Sequence, residues 1–553
     1  MSLKSRPIQP MPADTNQLVR SVLPATNLFV VIGDRLAEFV CDDDFADVYS
    51  FEGKPALSPA LLAMVTIFQY MENLSDRQAA AMVVTRVDWK YGLRLSLAYP
   101  GFHYSVLCEF RDRLVRHQAE SRVFEQLLER LKADGLVVGR GKQRTDALAV
   151  IGAVRRLNRL ELVIETLRVT LMAIEATEAA WFQKHIPPTW AERYGVRAQA
   201  ERLVGQHGEK GQAEIRALAG QTGQDGVWLL DRVDAADTPL SVKQLAEVTV
   251  LRQVWAQQFE VVERQTVWKE KLDTPGGELI TTPHDPEVRY SEKRGVDWTG
   301  YKVHVTETVD AGRPHILTDV QTTLATEPDS QQVQPIQEAL AERELLPAQQ
   351  LNDMGYVTGD TIAESAGRGV ELIGPVRADT SPQAKMDGGI TLDRFEIDYT
   401  HQVVHCPEGQ PSICWSESHN EYGRTVYHVH FEAATCAACP LYARCVMGKK
   451  DKPKGRTLKI KQTHAQVAQR RREQQTDAFK ELYRRRAGIK ASLSEMVRAH
   501  GLRFARYIGR PKVHLQHLFV ATATNLKRTA RWLAGIRPAA ERKPALRSLL
   551  LPA

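Results

Sequence analysis

Between residues 58 and about 120, apolar positions recur at spacings of three and four, the signature of short amphipathic helices. Ser58-Pro59 supplies an N-cap and first-turn proline before "ALLAMVTIFQYM". Ser75 with Gln78 forms a capping box that opens "DRQAAAMVV", and Ser105 is placed to cap "VLCEFRDRLVRH". The pattern suits a plain helical bundle better than a helix-turn-helix module, which uses the same pieces. "GLVVGRGKQRTDALAV", 135–150, is glycine-punctuated and β-branched, and predicts one or two strands. A long helical pattern follows from about 152 to 270. The alternation in 297–310 and 314–323 then predicts a hairpin. "AQQLNDMGYVTGDTIAESAGRGVELIGPV" has the rhythm strand, turn, helix, strand. The expected fold class is therefore α/β plus helical.

"YRRRAGIKASLSEMVRAHG", 483–501, reads as the end of a long basic helix. Tyr483, Arg486 and Lys490 share one face, beside a stripe of Leu482, Ile489, Leu493 and Met496. Charge sharpens this picture. The net charge is +6, yet 449–531 alone holds 23 Lys or Arg against 5 Asp or Glu, so an acidic body carries a basic C-terminal region. Such a region gains free energy on a polyanion by releasing counterions from phosphates. At 553 residues the chain exceeds one compact core. No apolar run is long enough to span a bilayer, and the first residues lack the apolar stretch of a secretory signal, so a cytoplasmic protein is expected.

Two sets of side chains could carry chemistry. Asp146 ("RTDALAV") and Asp353 ("LNDMGY") sit at predicted strand ends, the edge where open α/β sheets bind ligands. Paired carboxylates there can hold two Mg²⁺ ions roughly 3.5–4 Å apart for phosphoryl transfer. By pattern alone, a turn or capping role is the commoner fate of each. Five of the seven cysteines fall between 406 and 445. Cys436 and Cys439 form a CxxC turn, Cys445 follows, and Cys406 could complete a tetrahedral zinc site. Cys414, His405 and His401 are competing ligands. Cys41 and Cys108, alone in helical context, read as small core residues.

These segments together resemble the bacterial insertion-sequence transposases of the DDE type, ribonuclease H-like enzymes that move DNA with two Asp and one Glu. The similarity runs over roughly 50–535. "SPALLAMVTIFQYMENLSDRQAA" through "GFHYSVLCEFRDRL" is similar to the family's N-terminal helical domain. "QRTDALAVIGAVRRLNRLELVIETLR" resembles the segment with the first catalytic Asp, and "LNDMGYV" the segment with the second. "GLRFARYIGRPKVHLQHLFVATATNLKR" resembles the C-terminal block, and "CAACPLYARC" a cysteine-rich insertion of one branch. The resemblance implies an N-terminal segment 1–57, a helical DNA-binding domain 58–130, and a ribonuclease H-like core from 131–151, 281–394 and 455–535. It also implies a helical insertion 152–280, a Cys-rich insertion 395–454 and a tail 536–553.

The implied reaction is DNA cleavage by metal-activated water, then attack of the freed 3′-hydroxyl on target DNA. Asp146 and Asp353 would hold two Mg²⁺ ions, with Zn²⁺ in the cysteine insertion. Arg484, Arg485, Arg486, Arg503, Arg506 and Lys512 are candidates for phosphate contacts. The implied partner is double-stranded DNA, both terminal inverted repeats and target, bound by a homodimer at the nucleoid. One position departs from the branch. Tyr, two residues, Arg, three residues, Glu is its pattern, and here the Glu position is Lys490. An ammonium cannot ligate Mg²⁺. Glu495, five residues on, is rotated about 140° on a regular helix. The family's basic residue seven past the Glu is also missing, since 497 is Val. Three readings follow: a catalytically dead copy, an active enzyme with an altered residue, or a shifted helix that recruits Glu495. A salt bridge from Lys490 to Asp146 or Asp353 would keep the fold intact without metal. The rival functions are a non-catalytic DNA-binding protein derived from a transposase and a metal-dependent nuclease without transposition.

Overall fold

The computed structural model describes residues 2–198, 208–262, 265–420, 423–446 and 454–537; all but the first two residues of the tail 536–553 lie outside them. The chain divides into two compact units. The first comprises 1–138, 147–327 and 490–553, and the second 139–146 and 328–489. Strand β1 (Lys142–Ile151) passes from the second unit into the first.

In the first unit, capped helices build the N-terminal bundle as the sequence predicts. Ser58 accepts from the Leu61 N–H, and the Ser75–Gln78 capping box is formed. Asp42, in the acidic "CDDDF" run, is buried and accepts from the Ser58 hydroxyl at 2.5 Å and the Ala60 N–H at 3.2 Å, so it reinforces the same cap. Ser105 does not cap. It is the first residue of its own helix and pairs with His103 Nδ1. Phe29, Phe68 and Trp89 fill the bundle core with edge-to-face and tilted contacts. Cys108 is exposed and Cys41 half-buried, against the expectation of core residues.

The predicted helical stretch 152–270 folds mainly as Arg159–Thr177, Gly208–Asp234 and Ala246–Gln258 around Leu167, Leu229 and Trp255. It ends in a hairpin of β2 (Phe259–Val262) and β3 (Gln265–Trp268) that helical periodicity does not announce. Strands β4 (Arg289–Lys293), β5 (Val296–Thr308) and β6 (Leu317–Leu324) are antiparallel, and β5–β6 is the predicted hairpin. The 24-residue helix Arg510–Leu533 docks on β6 through Asn525. Its carboxamide accepts from the Leu317 N–H and donates to the Leu317 carbonyl, both at 2.8 Å.

In the second unit, the first half of β1 runs parallel to β7 (Gln349–Leu351), and β7 parallel to β8 (Glu371–Ile373), with the helix Gly359–Gly367 between them. The segment 135–150 thus yields one strand, not two. The strand order β4-β5-β1-β7-β8, with β6 on β5, makes a six-stranded mixed sheet and a mixed α/β chain. The cysteine-rich segment folds as a β9 (Glu396–Asp398) and β10 (Val403–His405) pair, and an antiparallel sheet of β11 (Cys414–His419), β12 (Thr425–His430) and β13 (Thr457–Lys461). Phe395, Val404, Val429, Phe431 and Ile460 form its core.

The stretch 483–501 is not one helix. Asp477–Arg484 ends, Arg485–Gly488 forms a tight 3₁₀ turn, and Ile489–His500 resumes. The physical cause lies in β1. Arg144 Nη1 donates to the Arg485 carbonyl at 2.6 Å, and a Cβ on Gly488 would meet that same nitrogen at 2.1 Å. A larger residue at 488 would have to displace the Arg144 guanidinium from this bond.

Candidate functional site

Register brings the two predicted aspartates abreast. Arg144 pairs with Leu351 in the parallel β1–β7 ladder. Asp146 and Asp353 each lie two residues farther along strands that run the same way. Asp353 then opens a turn, with the Tyr356 N–H on its carbonyl at 3.0 Å. That turn packs close to Asp329: a Cβ on Gly355 would lie 2.9 Å from Asp329 Oδ2.

One guanidinium serves both carboxylates. Arg486 Nη2 lies 2.8 Å from Asp146 Oδ2 and 3.3 Å from Asp353 Oδ2. The arginine and Asp146 side chains are 9% and 13% exposed, and Asp353 is 41% exposed. Arg486 Nε is buried with no hydrogen-bond partner. Tyr356, fully buried, has its hydroxyl pushed well above its ordinary pKa by burial and then by the Asp329 charge, with Asp146 and Asp353 adding to the shift. Burial likewise raises Tyr483, against the pull of Arg486. Tyr356 and Asp329 were not singled out from the sequence. Tyr356 falls within "LNDMGYV", whereas Asp329 reads as an ordinary first-turn acid before the helix Val333–Glu342.

The cation expected at 490 to neutralise the aspartates is therefore Arg486, and Lys490 is exposed. The 3₁₀ turn is the reason, because it turns 486 inward, where the guanidinium reaches both acids. Glu495 is already engaged in the first unit. Its carboxylate accepts from Arg528 Nη2 at 2.9 Å and pairs with Lys527 at 3.4 Å. Burial alone would raise its pKa, but Arg528 outweighs burial and lowers it.

Among the described residues, no three or more His, Cys, Asp or Glu side chains gather into a group that could hold a metal. Asp146 and Asp353 are brought together without a third acid grouped with them among the described residues. Cys406, Cys436, Cys439 and Cys445 do line one cleft of about 440 Å³ in the second unit, without closing into a ligand set. Backbone N–H groups of Arg456 and Leu441 point at the sulfurs of Cys436 and Cys439, at 3.5 and 3.4 Å. Cys414 sits apart on β11 opposite His430, and His401 is paired with Asp398 at 2.6 Å.

Of the phosphate candidates, Arg484 and Arg485 are exposed, Arg484 beside Glu481 at 2.5 Å. Arg486 is committed to the aspartates. In the first unit Arg503 donates to the Ala149 carbonyl, Arg506 to Leu74 and Asn73, and Lys512 pairs with Asp112 at 2.8 Å. Those three serve internal bonds. No described helix is long and apolar enough to cross a membrane.

Two family models match the chain. Residues 405–530 match one described as "Transposase DDE domain", and residues 18–113 match one described as "Transposase domain (DUF772)". No curated protein matches it. The first match includes the 3₁₀ turn that carries Arg486, and the second covers most of the N-terminal bundle. Together these two matches indicate an insertion-sequence transposase of the DDE type.

Proposed function

We propose that this chain follows the DNA cleavage-and-joining plan of its family but, as it stands, binds DNA without catalysing strand transfer. The observation that carries this reading is Lys490 at the third acidic position. It leaves two aspartates, held by Arg486, with no third carboxylate. Transposase DDE domains generally use Mg²⁺. An ammonium in place of the acid repels such ions where the acid would hold them. On this reading the mixed sheet is a ribonuclease H-like core carrying Asp146 and Asp353, 58–130 is a DNA-binding domain, and 152–280 and 395–454 are insertions. DNA ends would be paired by two copies of the chain. Zinc in the thiol cleft is supported by the two N–H···S bonds, and metal content of the purified protein tests it; zinc-free protein with intact cysteines removes that part.

The decisive experiment is strand nicking of the element's own end with Mg²⁺ by this protein and by Lys490→Glu. The expected outcome is nicking by the variant alone. Nicking at equal rates by both would overturn the claim that Lys490 disables the site. The second reading, a DNA-binding regulator derived from a transposase, shares the binding step. End-specific binding without nicking in either protein would favour it.

A further inference from the structure

The second unit contains a larger cleft that the aspartates do not use. It is open, has a volume of about 1070 Å³, and lies among the start of the helix Gly359–Gly367, strands β12 and β13, and the helix His464–Glu473. Strand β13 alternates strictly: Leu458 and Ile460 are buried in the small core, while Thr457, Lys459 and Lys461 face outward. Both lysines line the cleft, and neither forms an ion pair among the described residues. Residues two apart on a strand are separated by about 6.5–7 Å. Arg471 lines the cleft from the helix His464–Glu473, only 3.6 Å from Asp393.

The acids on the same walls are mostly engaged already. Asp360 is held by Arg424 and accepts from the Thr463 hydroxyl at 3.0 Å, and Asp379 accepts from the Ser381 N–H at 2.8 Å. Exposed Glu364 is the remaining lining acid. The cleft therefore offers unpaired cations along a strand, beside the first N–H groups of a helix, which favour negative charge. Its volume, with two lysines spaced along one strand, suits a chain of anions better than a single small ion.

We propose that this cleft takes the sugar-phosphate backbone of DNA, with Lys459 and Lys461 each on a phosphate, as a sequence-independent contact distinct from Asp146 and Asp353. The inference rests on the transposase reading for the identity of the polyanion. Lysines on a terminal strand can also guard a sheet edge against pairing with another chain. That role predicts no effect on DNA.

The test is fluorescence anisotropy of the full chain with a duplex oligonucleotide across a salt series, comparing Lys459→Ala/Lys461→Ala and the charge-reversed Lys459→Glu/Lys461→Glu. Circular dichroism checks that each variant is folded. Loss of two phosphate contacts should weaken binding on the order of tenfold near physiological salt, equally for unrelated sequences. It should also reduce the slope of log K against log salt by about two. Unchanged affinity and slope in both folded variants would overturn the cleft proposal and leave the transposase reading standing. A wild-type chain that binds no DNA at any salt would overturn both.

Discussion

Arg528 and Arg486 each face two carboxylates, and they are provided for very differently. In the first unit Arg528 meets Glu307, which is completely buried, and Glu495. Its donors also reach Ser492 and the His315 carbonyl, and Ser492 in turn donates to Glu307 at 2.6 Å. In the second unit Arg486 Nη2 meets both Asp146 and Asp353, the Arg486 Nε has no hydrogen-bond partner, and Asp353 is two-fifths exposed. A buried charge cluster that stabilises a fold has its hydrogen-bonding capacity filled. The Asp146–Arg486–Asp353 cluster leaves one donor unmet and one acid open to water.

The comparison can be broken in four ways. Arg528→Ala strands Glu307 in the interior and should cost about 3–5 kcal/mol, read as a lower denaturation midpoint. Arg486→Ala should cost roughly 1–2 kcal/mol, because water reaches Asp353 once the guanidinium is gone. Equal losses in the two variants would erase the distinction. The acid limb should sharpen it. Glu495 has its folded pKa below the ordinary 4.5. Its contribution is therefore complete above about pH 4.5 and is lost as pH falls through the lowered value. Glu495→Gln should be less stable near neutrality and show a shallower decline below pH 4.5 in thermal melts. Smallest of all, Lys490→Glu alters an exposed residue and should shift stability by no more than about 0.5 kcal/mol. Any nicking it restores would then reflect chemistry, not folding.

Local signals in the sequence were read well where local physics decides. Ser58 and Ser75 cap helices, the 297–323 alternation makes a hairpin, and "LNDMGY" ends a parallel strand just before a turn. The reading failed where a distant residue intervenes. Helical spacing placed Tyr483, Arg486 and Lys490 on one face, but Arg144, more than 300 positions earlier, takes the Arg485 carbonyl and tightens the winding. Ser105 loses its cap because His103 claims the hydroxyl, and β2–β3 hides in a helical stretch because a four-residue strand is too short for its period to register. For the candidate site, motif resemblance points to Asp146 and Asp353, which the structure brings onto one guanidinium. That Arg486, rather than Lys490, bridges the two is not legible, because an exposed position and a buried one look alike in sequence.

The Asn525 clasp on Leu317 has a consequence for solubility. Strand β6 is paired on only one side, so its outer backbone groups would otherwise be available to another chain. A side-chain amide reproduces the donor and acceptor of a backbone amide, and here it covers that edge at Leu317, the strand's first residue. The C-terminal helix is thus a stopper as well as a packing element. Truncation before Arg510 would uncover adhesive sheet edge together with apolar surface, and the shortened chain should accumulate as ordered aggregates. In the intact chain, slow hydrogen exchange at the Leu317 amide would report that the stopper is seated.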